Sequence, residues 1–150
     1  MKLFSQTDPK WSHLKLGKSP CTMKRFGCTT TAICMILSKV GNELTPDKAA
    51  MSFPYNSDGL IEWGKLKLKG MMFVNRFRGF GKADEVKLKE WIKEGKFAIV
   101  EVRNKYIPYH WLAVDRVALT GLTGVDPLGG IPLRIKSKYE IIGYSLFQKI

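Results

Sequence analysis

Cys28-Thr29-Thr30-Thr31-Ala32-Ile33-Cys34-Met35-Ile36-Leu37-Ser38-Lys39-Val40-Gly41 is the stretch on which the fold turns. Ile33, Ile36, Leu37 and Val40 recur at helical spacing, and Gly41 is suited to end the helix. The run Ala32-Ile33-Cys34-Met35-Ile36-Leu37 is apolar on every side. That predicts a helix buried nearly all round, the central helix of its domain. Thr29, Thr30 and Thr31 offer hydroxyls to the amides of its first turn.

Before this helix, residues 1–27 read as irregular chain, with prolines and glycines and few apolar runs. After it, Thr45-Pro46-Asp47 starts a second helix with Thr as N-cap and Pro at the first helical position. Residues 53–64, with Pro54, Asn56 and Gly59, read as a loop or short helix. In 65–73, Lys65, Lys67 and Lys69 alternate with Leu66 and Leu68, the pattern of a strand with one wet face. A third helix is predicted over 83–94, with Val86, Leu88, Trp91 and Ile92 inward and Gly95 just past its end. Strands follow at 97–102, 111–118, 122–125, 133–135 and 142–147. Helices first and an antiparallel meander after them make an α+β domain rather than an alternating α/β one. At 150 residues without a repeat or a linker, the chain reads as one domain spanning 1–150.

Lys and Arg number 25 against 13 Asp and Glu, a net charge of +12. Such an excess favours contact with polyanions: nucleic acid, an anionic envelope polymer or an acidic protein. The basic residues are scattered, as a solvated surface would also have them, and no nucleic-acid motif is present. No apolar run is long enough for a transmembrane segment, and the first residues lack the apolar core of a signal peptide. A reducing cytoplasm is the expected compartment, where Cys21, Cys28 and Cys34 stay free thiols. Their spacing does not match a zinc knuckle, so neither a metal nor another cofactor is expected.

Four residues have a chemical reading. Cys28 follows Gly27 at the start of the buried helix, where the macrodipole favours thiolate and glycine permits close approach. Taken alone, it reads more readily as a small buried apolar residue, like Cys34 mid-helix. His110 opens a strong strand and is placed to act as a general base, although a packed core histidine has the same appearance. Asp126 ends the next strand, in Gly124-Val125-Asp126-Pro127-Leu128-Gly129-Gly130, and also suits a turn start. A hairpin through Leu119-Thr120-Gly121 would bring the outer ends of these strands together, Asp126 beside His110. The three then compose a nucleophile, a base and its orienter. The Cys28 amide and the Gln6 side chain are candidate donors to an oxyanion. Trp11, Tyr55, Trp63 and Trp111 read as core or cleft aromatics.

Gln6-Thr7-Asp8-Pro9-Lys10-Trp11, Leu16-Gly17-Lys18-Ser19 and Phe26-Gly27-Cys28-Thr29-Thr30-Thr31-Ala32 resemble the start of the bacteriocin-processing (double-glycine) peptidase-like family. These are papain-like cysteine peptidases of bacteria and their phages. His110-Trp111-Leu112-Ala113-Val114 resembles that family's His strand, Val125-Asp126-Pro127-Leu128-Gly129-Gly130 its Asp-Pro strand end, and Ile142-Gly143-Tyr144-Ser145-Leu146-Phe147 its closing strand. The resemblance covers nearly the whole chain, loosely over 50–100. It implies a papain-like α+β fold: a buried N-terminal helix bearing the cysteine, packed on an antiparallel sheet bearing His and Asp. It also implies amide hydrolysis with Cys28 as nucleophile, His110 as base and then acid, Asp126 as orienter and Gln6 as oxyanion donor. Two positions depart from the family pattern. Thr22 stands where many papain-like enzymes carry the oxyanion Gln, and Tyr109 precedes His110 where relatives often have Gly.

The substrate expected is a peptide or protein: a peptidoglycan cross-link, where a basic surface would dwell on the anionic cell wall, a leader peptide or a virion protein. A virion is then a second possible location. Two rivals share these residues. One is an inactive papain-like module that binds a protein or polyanion; the other is a transferase or deamidase using the same triad.

Overall fold

The computed structural model describes residues 1–150. Helix α1, Met23–Phe26, is one turn long, and α2, Cys28–Ser38, follows it after Gly27 alone. Residues 30–37 of α2 are all buried, as the continuous apolar run requires. The helix closes in a Schellman turn. Gly41 N–H donates to Ser38 O at 3.2 Å and Asn42 N–H to Leu37 O at 3.2 Å, with Gly41 at φ 78°.

Gly27 separates the two helices at φ −86°. A Cβ there would lie 2.2 Å from Met23 Sδ and 2.5 Å from Met23 O, and the backbone oxygen cannot move aside. The glycine lets the chain pass close to Met23, the first residue of α1. Gly27→Ala is expected to cost about 1–3 kcal/mol by overpacking and to displace the start of α2. Thermal melts of the variant check this.

Helix α3 is Pro46–Ser52 and α4 is Lys82–Lys93. The strands are β1 (Met71–Arg78), β2 (Phe97–Arg103), β3 (His110–Ala118), β4 (Gly121–Asp126), β5 (Ile131–Arg134) and β6 (Glu140–Lys149). They form one antiparallel sheet in the order β1-β6-β2-β3-β4-β5. Both faces are covered. Across one face α2 packs on Ile99, Trp111, Ala113, Val125 and Phe147. Across the other, Leu88 of α4 packs on Ala98, Val100, Leu112, Val114 and Leu146. Burial on both faces explains why β2 and β3 read as continuous apolar runs rather than alternating ones.

Four expectations are corrected. The late strands are not a simple meander. Strands β2 to β5 are one, but β6 returns to lie between β1 and β2, an interior place suited to a strand buried at Tyr144, Ser145, Leu146 and Phe147. The strand expected over 65–73 starts later. Trp63–Lys65 is a 3-10 turn, Gly70 turns at φ 85°, and the ladder with β6 begins at Met71. Leu66 and Leu68 still pack under α2, but without strand partners. Val86 is 58% exposed, because two residues from buried Leu88 puts it on the opposite side of a helix. The strand expected over 133–135 is β5, and Ile135 opens a 3-10 turn, Ile135–Ser137. No helix is long and apolar enough to cross a membrane.

Candidate active site

Cys28 is the first residue of α2, and the N-cap position before it has no side chain to cap the helix. The threonine hydroxyls do not do so either, contrary to expectation. Thr30 Oγ1 is 2.7 Å from Tyr55 Oη, and Thr31 Oγ1 donates to Met23 Sδ. No side-chain oxygen therefore caps the first turn of α2, at whose positive end Cys28 stands.

His110 is the first residue of β3 and is 3% exposed. The β3–β4 hairpin runs in the register Ala113↔Val125 and carries Asp126 to the same end of the sheet. His110 Nε2 lies 2.7 Å from Asp126 Oδ1. That leaves Nδ1 as the free ring nitrogen, and the Cys28 side chain lies near enough to the ring to raise its pKa. Only the bond to Asp126 has full hydrogen-bond geometry. Nucleophile–base contacts commonly tighten once substrate binds.

The electrostatics follow from these contacts. Burial works to lower the His110 pKa, but the Asp126 carboxylate and the Cys28 side chain outweigh it and raise the imidazole to about 9. Burial works to raise the Asp126 pKa, but bonds from His110, Tyr139 and the Leu128 N–H hold it below the ordinary carboxylate value. The imidazolium form is therefore the stable partner of this carboxylate at neutral pH.

Nothing in the sequence singles out Tyr139. It lies between β5 and β6, and its hydroxyl donates to Asp126 Oδ2 at 2.6 Å. Burial, then the neighbouring carboxylate, pushes its pKa up, so it remains a donor. Leu128 N–H donates to Asp126 Oδ1 at 2.8 Å, and Lys138 Nζ stands 3.8 Å from Oδ2. A buried tyrosine bonded to a turn carboxylate has no local sequence signal. Tyr139→Phe strips one donor from a buried charge, and a loss of about 1–3 kcal/mol is expected in denaturant melts.

Gln6 is 2% exposed. Its backbone N–H donates to Pro127 O at 2.8 Å, tying the N-terminal segment to the loop after Asp126. Its Nε2 donates to Lys24 O at 3.0 Å and approaches Met23 O at 3.5 Å, in the turn just before Cys28. The second N–H is thus only weakly engaged, while Oε1 is buried without a partner. Thr22 precedes α1 as its N-cap residue.

Cys28 opens into a cleft of about 570 Å³ between the loop 56–63 and the sheet. Trp63, Tyr109 and Trp111 line it, and Tyr109 is 75% exposed at the rim. Tyr55 is half-buried and bonded to Thr30 of the cleft wall, and Trp11 belongs to a separate small core with Leu16 and Met23. Cys34 is fully buried mid-helix. No group of His, Cys, Asp and Glu is placed to hold a metal ion. Compared with protein-family models, curated proteins and solved structures, the chain finds no match in any of the three.

Proposed function

We propose that this protein is a papain-like cysteine peptidase of the bacteriocin-processing peptidase-like kind, which hydrolyses an amide bond through Cys28, His110 and Asp126. One observation carries the reading. A buried imidazole is held by Asp126 through Nε2 at 2.7 Å, and its other nitrogen is free beside a thiol at an uncapped helix start on a cleft. A histidine serving only to pack the core would need neither the thiol nor the opening.

In this reaction His110 Nδ1 takes the Cys28 thiol proton as Sγ attacks the substrate carbonyl carbon. The C–O π electrons move to oxygen, and the oxyanion meets the Cys28 N–H and the weakly engaged N–H of Gln6. Collapse breaks the C–N bond, and His110 gives its proton to the departing amine. His110 then takes a proton from water, whose oxygen attacks the thioester. The C–S bond then breaks, the acid leaves, and His110 returns its proton to Sγ, restoring the thiol–imidazole pair. Asp126 holds the ring orientation and stabilises its charged form throughout.

Incubation with a mixed peptide library, followed by sequencing of new termini, tests this. The expected result is a reproducible set of cleavages absent with Cys28→Ala. Cleavage that persists in Cys28→Ala overturns the mechanism, and acyl transfer to added amines in place of hydrolysis reassigns the same triad to a transferase.

A further inference from the structure

Three guanidinium groups, Arg25, Arg76 and Arg78, line the cleft beside Cys28, with two carboxylates, Asp58 and Glu101. Arg76 is already satisfied. Its Nη2 is 3.2 Å from Glu101 Oε2, and its guanidinium lies over the Trp111 ring at 5.3 Å. Arg25 and Arg78 have no carboxylate partner at all. Arg78 follows Arg76 by two residues on β1, so both project from the same face. Opposite Arg78 in the ladder stands Gly143, which contributes no side chain, and Glu101 beyond it reaches over the glycine, its Oε1 3.6 Å from where a Gly143 Cβ would lie, yet forms its ion pair with Arg76 and not Arg78.

Apolar groups meet these cations at the cleft. Phe26 is 49% exposed and Leu60 is 62% exposed, facing the same opening as Tyr109. Exposed apolar side chains gathered at a cleft mark a binding surface. Unpaired guanidiniums beside them match carboxylates.

We infer that the substrate is an acidic peptide, with an apolar side chain against Phe26, Leu60 and Tyr109 and its carboxylates on Arg25 and Arg78. This rests on the peptidase reading of the same cleft. A phosphate backbone offers these guanidiniums the same charge but no apolar side chain for Phe26, Leu60 and Tyr109.

The test reads occupancy rather than turnover. Cys28 is alkylated with uncharged iodoacetamide in the presence of a short peptide of Glu, Asp, Leu and Phe. The control is the same peptide with Lys at every acidic position. The acidic peptide is expected to protect Cys28 at about tenfold lower concentration, an advantage that shrinks as salt rises. The double change Arg25→Glu, Arg78→Glu reverses the order, and Arg25→Gln with Arg78→Gln abolishes it. Equal protection, stronger protection by the Lys peptide, or no protection by either overturns the inference. So does a single-stranded oligonucleotide that protects better than the acidic peptide. Cleavage of library peptides without acidic preference defeats this inference alone. Acidic protection in a protein that cleaves nothing defeats the peptidase reading and leaves the binding preference standing.

Discussion

Cys28→Ser is expected to lose peptide turnover by a factor on the order of 10⁴ to 10⁶, with the fold intact. The substitution keeps the shape of the side chain but replaces a thiol with a hydroxyl, a far weaker nucleophile at neutral pH. Cys28 is only half-buried, at the mouth of α2, so stability should change by no more than about 0.5 kcal/mol. Progress curves on any cleaved peptide, paired with thermal melts, separate the two effects. Cys21→Ser is the control, since Cys21 donates to the Asp58 carbonyl and stands apart from the imidazole. A Cys28→Ser protein of normal activity contradicts the account.

The second large effect falls on His110. His110→Gln retains a donor toward Asp126 while removing proton transfer, and a loss of about 10²–10⁴-fold in kcat is expected. The wild-type protein supplies a further test through pH. His110 carries a proton until its pKa of about 9, raised from an ordinary 6.5. Turnover should therefore fall as pH rises through about 9, when the acid that protonates the leaving amine is lost. Asp126→Asn removes the charge that holds the proton, and the falling limb should move toward 6.5. Stability has the same sign. The contribution of the charged His110 is complete below 6.5, declines above it, and is gone past about 9. Asp126 acts at the other end. Its depressed pKa supports the fold at neutral pH, and that support is lost as acid passes below the ordinary carboxylate value. A pH profile that stays flat through 9, or a limb unmoved by Asp126→Asn, contradicts the assignment of His110.

The parts of the site legible in the sequence are those made by short-range geometry. Cys28 was placed by the helix period that begins with it. His110 and Asp126 were brought together by a hairpin whose turn, Leu119-Thr120-Gly121, lies between them. Gln6 stands out in the sequence but its route does not, because it reaches the turn before Cys28 through irregular chain tied to Pro127. Tyr139 could not be found by spacing, since its partner is a carboxylate in a different part of the sheet. In the fold, local pattern located α2, α4 and the late strands to within a few residues. Strand order was not local. The insertion of β6 between β1 and β2 depends on which strand buries both faces, a property of the assembled sheet. The Lys-Leu alternation at 65–69 misled because packing of Leu66 and Leu68 under α2 does not require a ladder.

The most direct measurement is the alkylation of all three cysteines in the folded protein by iodoacetamide, with mass mapping of each site over time. The account predicts that Cys28 is modified first. Cys34 stays unmodified, fully buried and with its thiol pushed up in pKa by burial and by Asp47. Cys21, held to the Asp58 carbonyl, lags, and His110→Gln slows Cys28 to the rate of Cys21. Modification of Cys28 no faster than Cys21, or at a rate indifferent to His110→Gln, would show that thiol and imidazole do not act together, and the peptidase reading would fall.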